Sequence, residues 1–210
     1  PPDEPLASLT LRGFIDAVGA RTSAPGGGSV SAALAALGTG LGAMVAKLTY
    51  GVRKFEDRDL KMRAVIPPLH ALTQALIPMV DADTNAFNEF MEGLRMPRST
   101  EAEKDARQDK MQRGLKTAIQ VPLKTMRLGD QAWEALCETA RYGNPASKSD
   151  TQVGARALET GIWGAYQNVL INMVDLKDEG FKVEILAEAE AIMDRATKKC
   201  AEVLAILDKH

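Results

Sequence analysis

TSAPGGGSVSAALAALGTGLGAMVAKLT, residues 22–49, decides how this chain folds. Three glycines loosen the backbone. Then Ala32, Ala33, Ala35, Ala36, Gly38, Gly40, Gly42 and Ala43 dominate a run with no charge between Arg21 and Lys47. About 20 uncharged residues suffice to cross a bilayer core, but alanine and glycine supply few large apolar side chains to favour insertion. No transmembrane segment is therefore expected. Small residues instead let two helix backbones approach closely. Gly154, Ala155, Ala157, Gly161, Gly164 and Ala165 repeat the device, so the two segments are expected to pair at the centre of a helical bundle. A glycine inside a helix costs about 1 kcal/mol against alanine, and close packing must offset several of them.

Composition sets the wider frame. With 210 residues, 45% of them hydrophobic, the chain can bury one sizeable core and is too short for two comfortable domains. Residues 1–8, proline-rich and acidic, read as a linker remnant, and residues 9–210 as one helical domain. The 26 basic and 28 acidic side chains nearly cancel, so no global field favours nucleic acid or an anionic membrane. Cys137 and Cys200 lie far apart without a CxxC, which argues against a disulfide framework or a zinc site and suits a reducing compartment. A basic leader followed by an apolar core is also missing, so no secretion signal is read.

Strands would need alternating β-branched runs, and none longer than a few residues occurs. Helical periodicity fills the chain instead. The expected class is all-α, an up-and-down-like bundle with long kinked helices and a central small-residue pair. Helices are expected near 10–20, 29–49, 57–94, 100–140, 151–175 and 182–209. Pro67, Pro68 and Pro78 should kink the third, and the fourth should break near Pro122.

Three stretches carry chemistry. The first is Gly26, Gly27, Gly28 and Ser29, which reads as a turn with Ser29 as the helix N-cap or as an anion site of bare amides at the helix's positive end. No Walker loop is present, because no lysine follows the glycines. Lys47 lies some five turns further on and shares that site only with a long ligand or through a neighbouring subunit.

VDADTNAFNEFME, residues 80–92, is the second. It mimics a calcium loop, but Ala86 stands where that loop needs glycine and the apolar stripe runs through unbroken, so continuous helix is expected. Asp83 lies on the stripe with Val80 and Phe87, where burial would raise its pKa unless a cation pairs with it. Asp81 points elsewhere, beside His70, Ile77 and Asn88.

The third, GNPASKSD, residues 143–150, starts the other small-residue helix, with Ser149 or Asp150 as its cap. If the two small-residue helices are neighbours, their N-terminal loops are expected to border one cavity. His70 reads as structural and His210 as frayed. Two histidines allow no credible nucleophilic triad.

TSAPGGGSVSAALAALGTGLGAMVAKLT, DADTNAF and GNPASKSDTQVGA, in this order in an all-helical chain, resemble the formimidoyltetrahydrofolate cyclodeaminase and methenyltetrahydrofolate cyclohydrolase family. The resemblance spans nearly the whole chain and implies a homodimeric helical enzyme acting on polyglutamated tetrahydrofolate. No further cofactor is implied. It also implies a higher ring assembly where a transferase domain precedes this one, and a cytoplasmic, Golgi-associated location. The implied reaction converts 5-formimidoyltetrahydrofolate to 5,10-methenyltetrahydrofolate with loss of ammonia, in histidine degradation and one-carbon metabolism. Methenyltetrahydrofolate hydrolysis and a non-catalytic folate-binding or dimerisation role are the alternatives. By the resemblance Asp81 is catalytic, Asp83 orients or tunes it, Gly26 to Ser29 hold substrate, and Lys47 and Asp150 line the same cleft. Arg53, Lys54 and Lys116 are candidates for attracting a polyglutamate tail, or simply solvated surface.

Overall fold

The computed structural model describes residues 4–209. Eight helices follow one another: α1 (Leu11–Val18), α2 (Gly27–Thr49), α3 (Asp59–Leu76), α4 (Met79–Arg95), α5 (Glu101–Asp130), α6 (Trp133–Tyr142), α7 (Lys148–Met173) and α8 (Glu179–Leu207). Three 3-10 turns, Leu6–Ser8, Arg53–Arg58 and Pro145–Ser147, complete the regular structure. Among the described residues there is no strand. The all-α expectation holds. Residues 1–3 and His210 lie outside the described residues.

Local chemistry sets many of the boundaries. Thr10 accepts the Gly13 amide at 3.1 Å to start α1. Thr100 and Glu103 form a reciprocal capping box at α5, which satisfies amides that the first helical turn leaves unpaired. The expected single helix over 57–94 is two, because Ile77 and Pro78 separate α3 from α4.

Pro67 and Pro68 do not break α3. A proline deprives the carbonyl four residues earlier of its donor, and here those are Arg63 and Ala64, both on the exposed face where water serves. Pro122 lies inside α5 without ending it, and the helix stops at Asp130 instead. The carbonyl it orphans is that of Ala118, and Asn172 of α7 donates its side-chain amide there at 2.8 Å. A cross-helix donor replaces the missing backbone one.

The two small-residue helices pack along their lengths, as expected, and they run antiparallel. A β-carbon on Gly38 would stand 2.7 Å from the Gly154 carbonyl oxygen, and one on Gly161 2.7 Å from the Ala35 nitrogen and the Ser31 oxygen. Backbone thus meets backbone where any side chain would intervene. Around the pair, Leu69, Leu76, Ile119, Leu123, Met126, Trp133, Leu136, Leu158 and Ile162 are fully enclosed. By length and hydropathy α2 could cross a membrane, yet most of it is buried inside the bundle.

The remaining face of α2 is apolar too. Val30, Leu34, Leu37, Leu41, Met44 and Leu48 recur at alternating steps of four and three, with Leu37 60% and Leu48 53% exposed. Beside them on α7 lie Val153 and Trp163, more than half exposed. A shallow groove of about 480 Å³ runs between, lined by Leu34, Val153, Arg156, Ala157 and Leu204.

Candidate functional site

Helix α2 begins one turn earlier than the serine-cap reading expects. Gly26 is the N-cap and Ser29 is the third helical residue, fully buried. Freed from capping, the Ser29 hydroxyl crosses to α4, where Oγ lies 2.8 Å from the Val80 carbonyl, 3.2 Å from Thr84 Oγ1 and 3.3 Å from Asp83 Oδ2. Gly28 lies against the same carboxyl, for a β-carbon there would overlap it. Gly27 borders Asn168 of α7, whose amide nitrogen would be 3.5 Å from a β-carbon at residue 27.

This packing makes Asp83 unusual. Burial raises its pKa above the ordinary carboxylate value, and hydrogen bonding from the Ser29 hydroxyl and backbone offsets only part of that effect. The single Ser29 hydroxyl proton cannot serve all of its neighbours at once. Directed at the Val80 carbonyl, it leaves an oxygen lone pair facing Asp83, which suits a protonated carboxyl. Turned toward Asp83, it suits the carboxylate. A rotating hydroxyl can therefore accompany the gain and loss of a proton at Asp83. The sequence expectation that burial lifts this group is met.

Asp81 is differently placed. Its Oδ1 accepts the Leu6 amide at 2.6 Å and its Oδ2 the Ala7 amide at 3.2 Å. Leu6 is buried with Ala32, Met79 and Val80. The acidic stretch is continuous helix throughout, as expected.

The expected shared cavity at the two helix starts does not form within one chain. Antiparallel packing carries the start of α7 to the end of α2, where the Asn144 amide donates to Thr49 Oγ1 at 2.8 Å. Lys47 is exposed at that end, about 27 Å from Ser29 at 1.5 Å per residue, and Asp150 sits nearby in the first turn of α7. Gly26, Gly27, Gly28, Ser29 and Asp83 thus converge, with Asp81 at the same end on a different face, while Lys47 and Asp150 stand apart. The cap of α7 is also not Ser149 or Asp150: Ser147 takes that position without a side-chain bond.

Other candidates have structural partners or lie exposed. Lys116 pairs with Asp178 at 2.6 Å and lies 5.2 Å from the Phe181 ring centre. Lys54 lies over Phe55. His70 is exposed on α3. Burial pushes the Cys137 thiol to about 11 and the Cys200 thiol to about 12, so neither is a ready nucleophile. Both are free thiols. Sequence reasoning missed Thr84, Asn168 and the Val80 carbonyl. Thr84 sits within the quoted acidic motif, and Asn168 continues the Gly161, Gly164 spacing, so both left a signal.

Comparison with known proteins adds a second line of observation. Residues 10–191 match the family model described as formiminotransferase-cyclodeaminase. The chain is 46% identical over 99% of its length to the formimidoyltransferase-cyclodeaminase of Gallus gallus, and 32% identical over 89% to the methenyltetrahydrofolate cyclohydrolase of Methylorubrum extorquens. It covers 38% of the former and 90% of the latter. A crystal structure of formiminotetrahydrofolate cyclodeaminase from Thermotoga maritima superposes with a TM-score of 0.85 at 27% identity, covering 96% of this chain and 97% of that one.

Proposed function

The chain belongs to the formiminotransferase-cyclodeaminase family, and from that membership and the geometry at Asp83 we propose that it closes 5-formimidoyltetrahydrofolate to 5,10-methenyltetrahydrofolate. N10 attacks the amidinium carbon carried on N5, and a five-membered ring forms. One proton leaves N10, one reaches the exocyclic nitrogen, and ammonia departs. Nucleophile and electrophile belong to the same substrate, so the protein orients them and moves the proton.

The observation that carries this reading is the half-buried Asp83 carboxyl packed between Gly28 and the Ser29 hydroxyl. A carboxyl with a raised pKa can take the N10 proton and return it to the leaving amine. The resemblance gave this task to Asp81. The present reading gives it to Asp83, because burial raises the pKa of that carboxyl beside the Ser29 hydroxyl, whereas Asp81 presents its two oxygens to a pair of N–H donors.

Two copies form the working unit in this reading. The alternating four-and-three apolar seam on α2 has the spacing by which helices pair face to face. An antiparallel twofold contact along it would bring Lys47 and Asp150 of one copy toward Asp83 of the other, and a polyglutamate tail would follow the lysine. The relatives in which this region forms 38% of the length suggest that a transferase part and a larger assembly accompany it.

Hydrolysis of methenyltetrahydrofolate is the second reading, favoured by the relative of that name whose length the chain nearly spans. It uses the same carboxyl with an activated water. Supplying each folate to the purified chain separates them. The first reading expects methenyl product with equimolar ammonia from 5-formimidoyltetrahydrofolate, whereas methenyl loss without any ammonia-releasing activity supports the second.

A further inference from the structure

Asp81 and the N-terminal turn meet across 75 positions of sequence. The turn offers two adjacent N–H donors, Leu6 to Oδ1 and Ala7 to Oδ2. A carboxylate takes two neighbouring donors well because its oxygens lie side by side. A pterin ring presents the same pattern on its N3–H and 2-amino edge.

The turn that fills Asp81 is lightly held. Leu6 is its single deeply buried anchor, at 5% exposure, and although Leu9 and Phe14 pack half-buried on the same cluster, α1 behind it fully buries no residue. Leu11 and Ile15 on α1 remain 74% and 58% exposed. Residues 19–25 then lead straight to Gly26, the N-cap of α2. Val80 links the two features, since its side chain packs on Leu6 and its carbonyl receives Ser29.

We propose that the Leu6–Ala7 turn is a built-in competitor for Asp81, and that this carboxylate receives the N3–H and 2-amino edge of the pterin once the turn lifts away. The inference rests on the folate reading above. It makes Asp81 a substrate-binding group distinct from the proton-transferring Asp83. The closed turn weakens apparent folate affinity by the fraction of molecules in which Asp81 is free.

Amide hydrogen exchange on the whole chain tests it, with 5-formyltetrahydrofolate as a stable probe. Exchange at Leu6 and Ala7 should accelerate several-fold in the complex, the opposite of ordinary ligand protection. Unchanged or slower exchange there overturns the inference. Ala7→Pro, which removes one donor, should bind the probe several-fold more tightly, and equal or weaker binding by a folded variant overturns it. If that variant does not fold, exchange on the unmodified chain still decides. Absence of any probe binding by calorimetry overturns the folate reading and this inference together. Binding with the turn still protected overturns this inference alone.

Discussion

Gly28 supports the carboxyl of Asp83 so closely that any β-carbon at position 28 would overlap it. Glycine is required here for close approach. Gly28→Ala should push the carboxyl away from Ser29, destabilise the fold by about 1–3 kcal/mol, and reduce turnover. Urea midpoints alongside initial rates would measure both, and an unperturbed midpoint with unchanged rate would contradict the packing described.

Asp83 also makes a pH-dependent prediction. Its folded pKa lies above the unfolded value because burial disfavours the charge. Its contribution to stability is therefore fully present below the unfolded pKa of about 3.8 and is lost as pH rises through the raised folded value. Asp83→Asn cannot ionise, so its thermal midpoint relative to the parent should improve between acid and neutral pH. A constant difference across that range would show that Asp83 titrates alike in both states.

Asn172 is expected to matter for an otherwise puzzling helix. Its side chain supplies the donor that Pro122 denies to the Ala118 carbonyl. Asn172→Leu leaves that carbonyl unpartnered and should cost about 1–3 kcal/mol in chemical denaturation. In a Pro122→Ala background the backbone donor returns, so the same substitution should cost markedly less.

Pairing through the α2 seam can be examined by sedimentation velocity. Leu37, 60% exposed at the middle of the seam, should tolerate Glu in the single chain and not in a dimer. Leu37→Glu is expected to sediment as a folded monomer at concentrations where the parent is dimeric, with activity falling in parallel if the second copy completes the site. Equal sedimentation of the two proteins would contradict the proposed pairing through this seam.

The fold was legible where one physical signal dominated. Uncharged runs of alanine and glycine favour close helix packing over membrane insertion, so the α2 and α7 pair was read correctly, together with the burial that raises the pKa of Asp83. Direction was not legible: nothing in the spacing of Gly154 and Gly161 says whether α7 runs parallel or antiparallel to α2. That one unknown let the start of α7, with Asp150, be read as bordering the cavity at Ser29, whereas Lys47, on the same helix as Ser29 and some five turns further on, joined that cleft only through the resemblance. Pro122 misled for a related reason, because its rescue by Asn172 crosses between helices distant in sequence. The N-cap reading failed at Ser29 because glycine can start a helix as well, which freed the hydroxyl for Asp83. The resemblance gave the reactive role to Asp81, and the partners that Asp81 has in the fold, the Leu6 and Ala7 amides, are backbone groups that no side-chain pattern reveals.

Single-turnover kinetics of Asp83→Asn with 5-formimidoyltetrahydrofolate, with folate binding measured in parallel, decide whether this carboxyl moves the proton. Binding should be retained and methenyl formation slowed by about 100-fold or more, with ammonia release slowed equally. Ring closure by Asp83→Asn at the parent rate, in a folded protein that binds the substrate, would contradict that role.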